Sequence, residues 1–238
     1  MSSGWLWHAF ALGHDWAIGL ATLLGLLVGL GLTLLIQRLP YQMERDWQPG
    51  AATAPEAGVA RPISARRYVA VAGLSAVLFA ASAWRFGPTL IALSAMALLA
   101  ALLALAWIDY DCCLLPDAIT LPLLWAGLMV NLHAGLTPLP MAVLGAALGY
   151  GVLWSVFQVF LWLTGSEGMG HGDFKLSAAL GAWLGLAALP WLLVGASLAG
   201  LVGACLLRLS GRTRRGQALP FGPYLAVAGA ITLLGGFY

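Results

Sequence analysis

Two short acidic clusters carry the side chains of this sequence that are best suited to chemistry. They lie at 107–120 and 165–176 and hold Asp109, Asp111, Asp117, Glu167 and Asp173. Each cluster adjoins an apolar segment, where a carboxylate loses hydration and needs a partner or a function. Two such carboxylates facing each other share one proton and titrate as a pair. A pair of this kind can deprotonate water while it protonates a carbonyl oxygen, which is the chemistry of aspartic proteolysis.

Spacing alone does not decide which acid of the first cluster would take part. Asp109 directly follows an apolar run, Asp111 is also typical of a hydrated boundary residue, and Asp117 is well placed to cap the next helix. Asp173, after a glycine-rich turn, is also compatible with a helix cap. The residue type therefore predicts a carboxylate pair between the clusters and leaves the member of the first cluster open.

The neighbours of the acids fit an extended peptide substrate. Gly170 and Gly172 make the backbone before Asp173 permissive, and Pro116 prevents a regular helix through the first cluster. Lys175 is predicted to orient the site or contact an acidic part of the substrate, or instead to anchor the chain at the cytoplasmic face. By sign alone, Asp117 and Glu167 are predicted to attract basic residues of a substrate.

Composition places these clusters in a membrane protein. Of 238 residues, 61% are hydrophobic and 8% are charged, and the formal net charge is +2. A soluble domain carries about a quarter charged residues, and a nucleic-acid binder needs a basic field, so neither class fits. The three cysteines form neither a disulfide framework nor paired zinc clips, and no metal site is expected. The chain is predicted to be all-α and polytopic, with the lipid bilayer as its surroundings.

Eight apolar segments are long enough, or nearly so, to cross a bilayer. They lie at about 16–36, 68–84, 89–108, 120–134, 141–163, 176–189, 191–207 and 220–237. Ten of the eleven Lys and Arg residues, all but Arg85, then fall on one side of the membrane. Because basic residues favour the cytoplasmic side, the connections at 37–67, 109–119, 164–175 and 208–219 are predicted to be cytoplasmic. Both acidic clusters then face the cytoplasm, and both termini lie outside.

Four segments of the sequence resemble the type IV prepilin peptidases, bacterial aspartic peptidases of the GxGD class. GMGHGDFKLSAALGAWLG at 168–185 is similar to the GxGD-F-K-L signature, and IDYDCCLLPDAITLPLLWAGL at 108–128 to the L-P-D segment. ALPFGPYLAVAG at 218–229 resembles the P-F-G-P element, and RLPYQMERDW at 38–47 resembles a first-loop motif. The resemblance covers most of the chain.

The resemblance implies a function for the acids. By position, the catalytic aspartates of the family fall on Asp109 and Asp173, and the implied activity removes the basic leader of prepilins or type II secretion pseudopilins after a glycine. Many members also methylate the new N-terminus from S-adenosylmethionine. Many also carry two CxxC pairs in the first loop, whereas residues 37–67 here contain no cysteine. The implied aspartic peptidase needs no cofactor, and S-adenosylmethionine is implied only if methylation is retained.

Three regions are expected. They are an N-terminal transmembrane helix at 1–36, a short cytoplasmic loop at 37–67 and a transmembrane peptidase core at 68–238. A proton-coupled transporter or channel with carboxylates at the membrane boundary is the alternative function, although such proteins place their acids near mid-span. A presenilin-like protease is a second alternative, but the chain lacks the late P-A-L motif expected of one.

Overall fold

The described part of the protein is almost entirely α-helical. The computed structural model describes residues 4–47, 64–133, 135–165, 169–210 and 220–238, and within the first range it describes only the side chains of 15–39. These ranges contain α1 (Gly4–Trp47), α2 (Ala65–Phe86), α3 (Leu90–Cys112), α4 (Asp117–His133), α5 (Leu139–Thr164), α6 (His171–Leu184), α7 (Leu189–Leu209) and α8 (Gly222–Gly235). A 3₁₀ turn at Leu186–Ala188 precedes α7. The predicted all-α polytopic membrane fold is confirmed.

Each predicted apolar segment corresponds to one of these helices. Five helical segments, in α1, α2, α3, α5 and α7, are long and apolar enough to cross a membrane, and α8 is a shorter apolar helix. The main differences are at helix ends: α1 continues to Trp47, into the predicted first loop, and α6 begins at His171 instead of near 176. Hydropathy marks where apolar residues begin, whereas a helix continues through polar residues until its backbone is interrupted.

The chain forms two compact units, and the boundary between them falls within α3, after Ala104. In the first unit α1 packs closely against α2. A Cβ atom at Gly25 would lie 2.7 Å from Ala76 Cα, and one at Gly29 would lie 2.6 Å from Ala72 Cα. Small residues at such crossings let helix backbones approach in lipid. The sequence-based division at 36/37 and 67/68 stays a prediction.

The second unit, from Leu105 onward, is organised around α6. This helix packs against α4, α5 and α8, and apart from Lys175 every residue from Asp173 to Leu184 is buried. A Cβ atom at Gly149 on α5 would lie 2.7 Å from the carbonyl oxygen of Ser177 on α6. Small residues on both helices thus set the position of α6.

Side-chain hydrogen bonds between α4 and α6 fix the far end of α6. The Trp183 indole donates a hydrogen bond to the Leu123 carbonyl at 2.8 Å. Asn131 donates to the carbonyls of Ala182 and Trp183 at 2.7 and 3.0 Å. These carbonyls end α6 and lack partners within the helix, so a buried amide side chain is well suited to pair with them. With this end held, the opposite end of α6 presents Asp173.

Candidate active site

Asp109 lies in the last turn of α3, where the apolar run of that helix ends. It is only 4% exposed. The helix stops at Cys112, and Cys113 follows in a left-handed conformation, with φ of 53°. The Cys113 amide donates to the Asp109 carbonyl at 2.8 Å, closing the helix end. Regular helix resumes only after Pro116, so the predicted break in the first cluster is present.

Asp173 lies in the first turn of α6 and is 5% exposed. Gly170 precedes the helix in an extended conformation, whereas Gly172 is already helical. That these two glycines admit an extended substrate peptide stays a prediction. A Cβ atom at Gly172 would lie 2.6 Å from the Leu115 Cβ. This glycine therefore lets the start of α6 approach the segment that follows α3.

The start of α8 completes the site. Gly222, the first residue of α8, is buried, and its amide donates a hydrogen bond to Asp109 Oδ2 at 2.9 Å. Reasoning from acidic residues missed this contact, because a backbone amide belongs to every residue type except proline. The PFGP stretch within 218–229 is the sequence signal that could have revealed it.

A small cavity separates these helix ends. Its volume is about 50 Å³, and it is lined by Asp109, Cys113, Leu115, Gly170, Gly172, Asp173, Pro220 and Phe221. A water molecule needs roughly 10–15 Å³ of such volume and several polar partners, so the cavity has room for ordered water. Asp173 Oδ1 is buried and has no hydrogen-bond partner within the described part of the chain. Because two carboxyl groups line it, the cavity is polar and suited to bind water.

The electrostatics of the cavity follow from burial and like charge. Burial and, secondly, the charge of Asp109 raise the pKa of Asp173 to about 7, although a hydrogen bond from the Gly170 amide opposes the shift. Burial also raises the pKa of the Cys113 thiol, and both aspartates add to that shift. Each effect disfavours a further negative charge in the cavity. Near neutral pH the site therefore retains a proton.

The remaining predicted residues lie around the cavity. Lys175 donates to both oxygens of Asp117, at 2.6 and 2.7 Å, and so joins the start of α6 to the start of α4. Asp111 is exposed on the last turn of α3. Glu167 lies outside the described residues. The structure thus brings Asp109 and Asp173 to one cavity and places the Lys175–Asp117 pair two residues from Asp173.

This fold and cavity define the class of polytopic membrane aspartic peptidases. The model of the type IV leader peptidase family matches residues 96–205, a range that contains both aspartates. The chain is 40% identical to a prepilin leader peptidase/N-methyltransferase of Pseudomonas putida over 274 aligned positions, covering 97% of this chain and 95% of the relative. It is 42% identical to the enzyme of the same name from Pseudomonas aeruginosa, covering 94% and 92%. No solved structure matches.

The chain therefore belongs to the type IV leader peptidase family, which confirms the resemblance and the predicted enzyme class. The alignment with the Pseudomonas putida relative spans 274 positions although the present chain has 238 residues. The relative is therefore longer within the aligned region. A shorter first loop in this chain is consistent with that difference.

Proposed function

We propose that this protein removes the leader peptide from prepilins or pseudopilins, with Asp109 and Asp173 as the catalytic pair. The observation that carries the proposal is that both carboxylates, each about 95% buried, line one cavity of about 50 Å³. The family supplies the substrate class, since its relatives are named for prepilin leaders. Aspartic proteolysis needs two carboxyl groups that share one proton beside one water molecule.

The pair would hydrolyse a peptide bond without a covalent intermediate. The ionised aspartate takes a proton from water, and the water oxygen bonds to the scissile carbonyl carbon. The protonated aspartate gives its proton to the carbonyl oxygen, which produces a neutral diol. The diol then collapses: the C–N bond breaks, the first aspartate protonates the leaving amine, and a diol hydroxyl returns its proton to the second. The pair ends in its starting protonation state.

The size of the cavity limits what the substrate can place there. A volume of about 50 Å³ accommodates ordered water and the scissile carbonyl but no peptide segment. Leu115 and Phe221 wall it on the sides of α3 and α8. The substrate would therefore present a residue without a bulky side chain, in agreement with the glycine that the family resemblance implies.

The residues around the pair have supporting roles in this proposal. The bidentate Lys175–Asp117 ion pair favours the orienting role for Lys175, since its ammonium is already bound. Asp117 then shares its charge with Lys175 and offers less attraction to a basic leader. Glu167 keeps the predicted role of attracting the leader, Pro116 keeps that of interrupting the helix, and Gly172 lines the cavity that the leader would approach.

Methyl transfer is a separate question, since the relatives are also named N-methyltransferases. S-adenosylmethionine carries a cationic sulfur and a carboxylate and fills a pocket of a few hundred Å³. Within the described residues, the cavity lined by Asp109 and Asp173 is too small for it. An apolar groove of about 380 Å³ beside α1 and α3 is lined by no charged side chain. Neither fits, so we assign no methyl-transfer step to the described residues, and labelled S-adenosylmethionine in the cleavage assay tests for it.

We place the enzyme in the bacterial inner membrane, with its active site toward the cytoplasm and both termini outside. The support is the distribution of Lys and Arg over the predicted loops. The helix ends that form the cavity, α3 at its C-terminus and α6 and α8 at their N-termini, all belong to that face in this topology. Reporter fusions to the two termini test the orientation.

The deciding experiment incubates purified protein with a prepilin. Asp109→Asn and Asp173→Asn should each reduce leader removal by about 10⁴-fold, as loss of a member of a catalytic unit commonly does. Asp111→Asn is the matched control, because Asp111 is an exposed aspartate two residues from Asp109. It should cleave at the wild-type rate. Full cleavage by either active-site variant would refute the proposed function.

A further inference from the structure

The first residue of α8, Gly222, lies against the carboxylate of Asp109. It donates to Asp109 Oδ2 at 2.9 Å. A Cβ atom built at Gly222 would lie 2.7, 3.0 and 3.2 Å from Oδ2, Cγ and Cβ of Asp109, and these are its three nearest neighbours. The lack of a side chain at Gly222 is thus required by the Asp109 carboxylate in particular.

An amide at a helix start is a favourable partner for an anion. The first amides of a helix have no acceptor within it, and the helix dipole adds positive potential there. α8 is 14 residues long and begins at Gly222, with Pro223 next in its first turn. The hydrogen bond therefore favours the ionised form of Asp109.

The second carboxylate has an unsatisfied oxygen. The Gly170 amide bonds to the Asp173 side chain, and Asp173 lines the cavity, but its Oδ1 is buried and has no partner among the described residues. An unpaired oxygen of a buried anion is costly, whereas a protonated carboxyl needs only an acceptor for its O–H. Water or a substrate carbonyl in the cavity would supply that acceptor.

We propose that α8, through the Gly222 amide, holds Asp109 as the ionised member that activates water, while Asp173 carries the proton and donates it to the carbonyl oxygen. Gly222 is then a positioning residue for the base. The inference rests on the proposed function and adds an assignment of the two roles.

In the described ranges of the chain, few other ionisable groups lie around the pair. Cys113 lines the cavity after α3. Lys175 on α6 and Asp117 on α4 are bound to each other. His171 is exposed and stacks on Phe174, 5.6 Å between ring centroids. The first turn of α8 has no acidic side chain, and the ring of its Tyr224 packs against Gly203 on α7. With Cys113 replaced by serine, a pH profile of cleavage reports chiefly the two aspartates.

The test compares Gly222→Ala with Gly195→Ala in a Cys113→Ser background, using full-length protein in proteoliposomes. A Cβ at Gly195 would make an ordinary contact, 3.5 Å from the Ala228 Cβ, so this control alters the α7–α8 packing and leaves the dyad alone. Gly222→Ala should lower kcat about ten- to one-hundred-fold, as expected for loss of a hydrogen bond to a charged group. The acid limb of its kcat/KM profile should move up by about one pH unit, because Asp109 becomes harder to ionise.

An unchanged profile in Gly222→Ala, with Asp109→Asn inactive, would overturn the assignment and leave the proposed function standing. Cleavage by Asp109→Asn would instead remove the proposed function itself. An infrared measurement tests the same assignment without Gly222→Ala, whose packing could fail. At pH 6 the wild type should show the carbonyl absorption of a protonated carboxyl group that Asp173→Asn lacks. Persistence of that absorption in Asp173→Asn would overturn the assignment.

Discussion

Replacing Asp173 by asparagine is expected to abolish cleavage and yet to stabilise the folded protein above neutral pH. Burial first, and the charge of Asp109 second, raise the pKa of Asp173 from 3.8 to about 7. Asparagine has nearly the same shape and carries no charge. The variant therefore removes the reactive proton and also the cost of an ionised carboxylate in the cavity.

The sign and size of the effect follow from linkage. Because the pKa in the folded state exceeds that in the unfolded state, folding favours the protonated form. The contribution of Asp173 to stability is intact below about pH 4 and is lost as pH rises through 7. A shift from 3.8 to about 7 corresponds to about 4 kcal/mol, at about 1.4 kcal/mol per unit. Relative to wild type, Asp173→Asn should gain little at pH 4 and up to about 4 kcal/mol at pH 8.

Tryptophan fluorescence during heating measures this gain, since the chain contains 11 tryptophans. A domain of this size shifts its Tm by about 2–4 °C per kcal/mol, so Asp173→Asn should melt roughly 10 °C above wild type at pH 8. Asp15→Asn, at an exposed aspartate, should melt as wild type at both pH values. If Asp173→Asn melts at or below the wild-type temperature at pH 8, the ionised carboxylate of Asp173 does not destabilise the folded protein, and the reasoning is wrong.

Three further predictions concern other parts of the second unit. Lys175→Met should lose about 1 kcal/mol or less in stability, since the ion pair with Asp117 is partly exposed. It should lower the cleavage rate several-fold, and Lys175→Arg should restore that rate. An unchanged cleavage rate in Lys175→Met contradicts an orienting role. Gly181→Ala should lower stability by about 1–3 kcal/mol through overlap with a carbonyl of α5, whereas Gly151→Ala, in open space, should melt as wild type. Maleimide should modify Cys113 slowly at pH 7 and faster when either active-site aspartate is neutralised; equal rates, by mass spectrometry, would show that the thiol does not sense them.

The sequence was sufficient to predict the helices and the two acidic clusters because both leave direct signals, and the family resemblance then pointed to Asp109 within the first cluster. Apolar segments of transmembrane length predicted the helices one by one, and carboxylates next to such segments are conspicuous because they are costly. Asp109 and Asp173 line the same cavity. Their catalytic role remains a proposal, tested by the asparagine variants.

Other features of the site depend on contacts between distant residues, which no local pattern encodes. The amide of Gly222 reaches Asp109 across 113 positions, and Lys175 meets Asp117 across 58. The case of Gly172 is similar. Its residue type suggested a permissive backbone, whereas a side chain is excluded at this position because Leu115, on another segment, lies too close. Glycine is required by backbone freedom in some places and by close approach in others, and sequence alone does not separate the two.

Backbone amides at the starts of helices stabilise negative charge in the site, and the Lys175 ammonium is bound outside it. Among the residues that the structure describes, none that lines the cavity is basic, and the starts of α6 and α8 instead supply amides to Asp173 and Asp109. A cation beside the carboxylates would favour ionisation of both and remove the proton that acid catalysis needs. Amides stabilise one negative charge while leaving the second carboxyl protonated. The Lys175–Asp117 pair serves the same end, because Asp117 holds the ammonium two residues from Asp173 and outside the cavity.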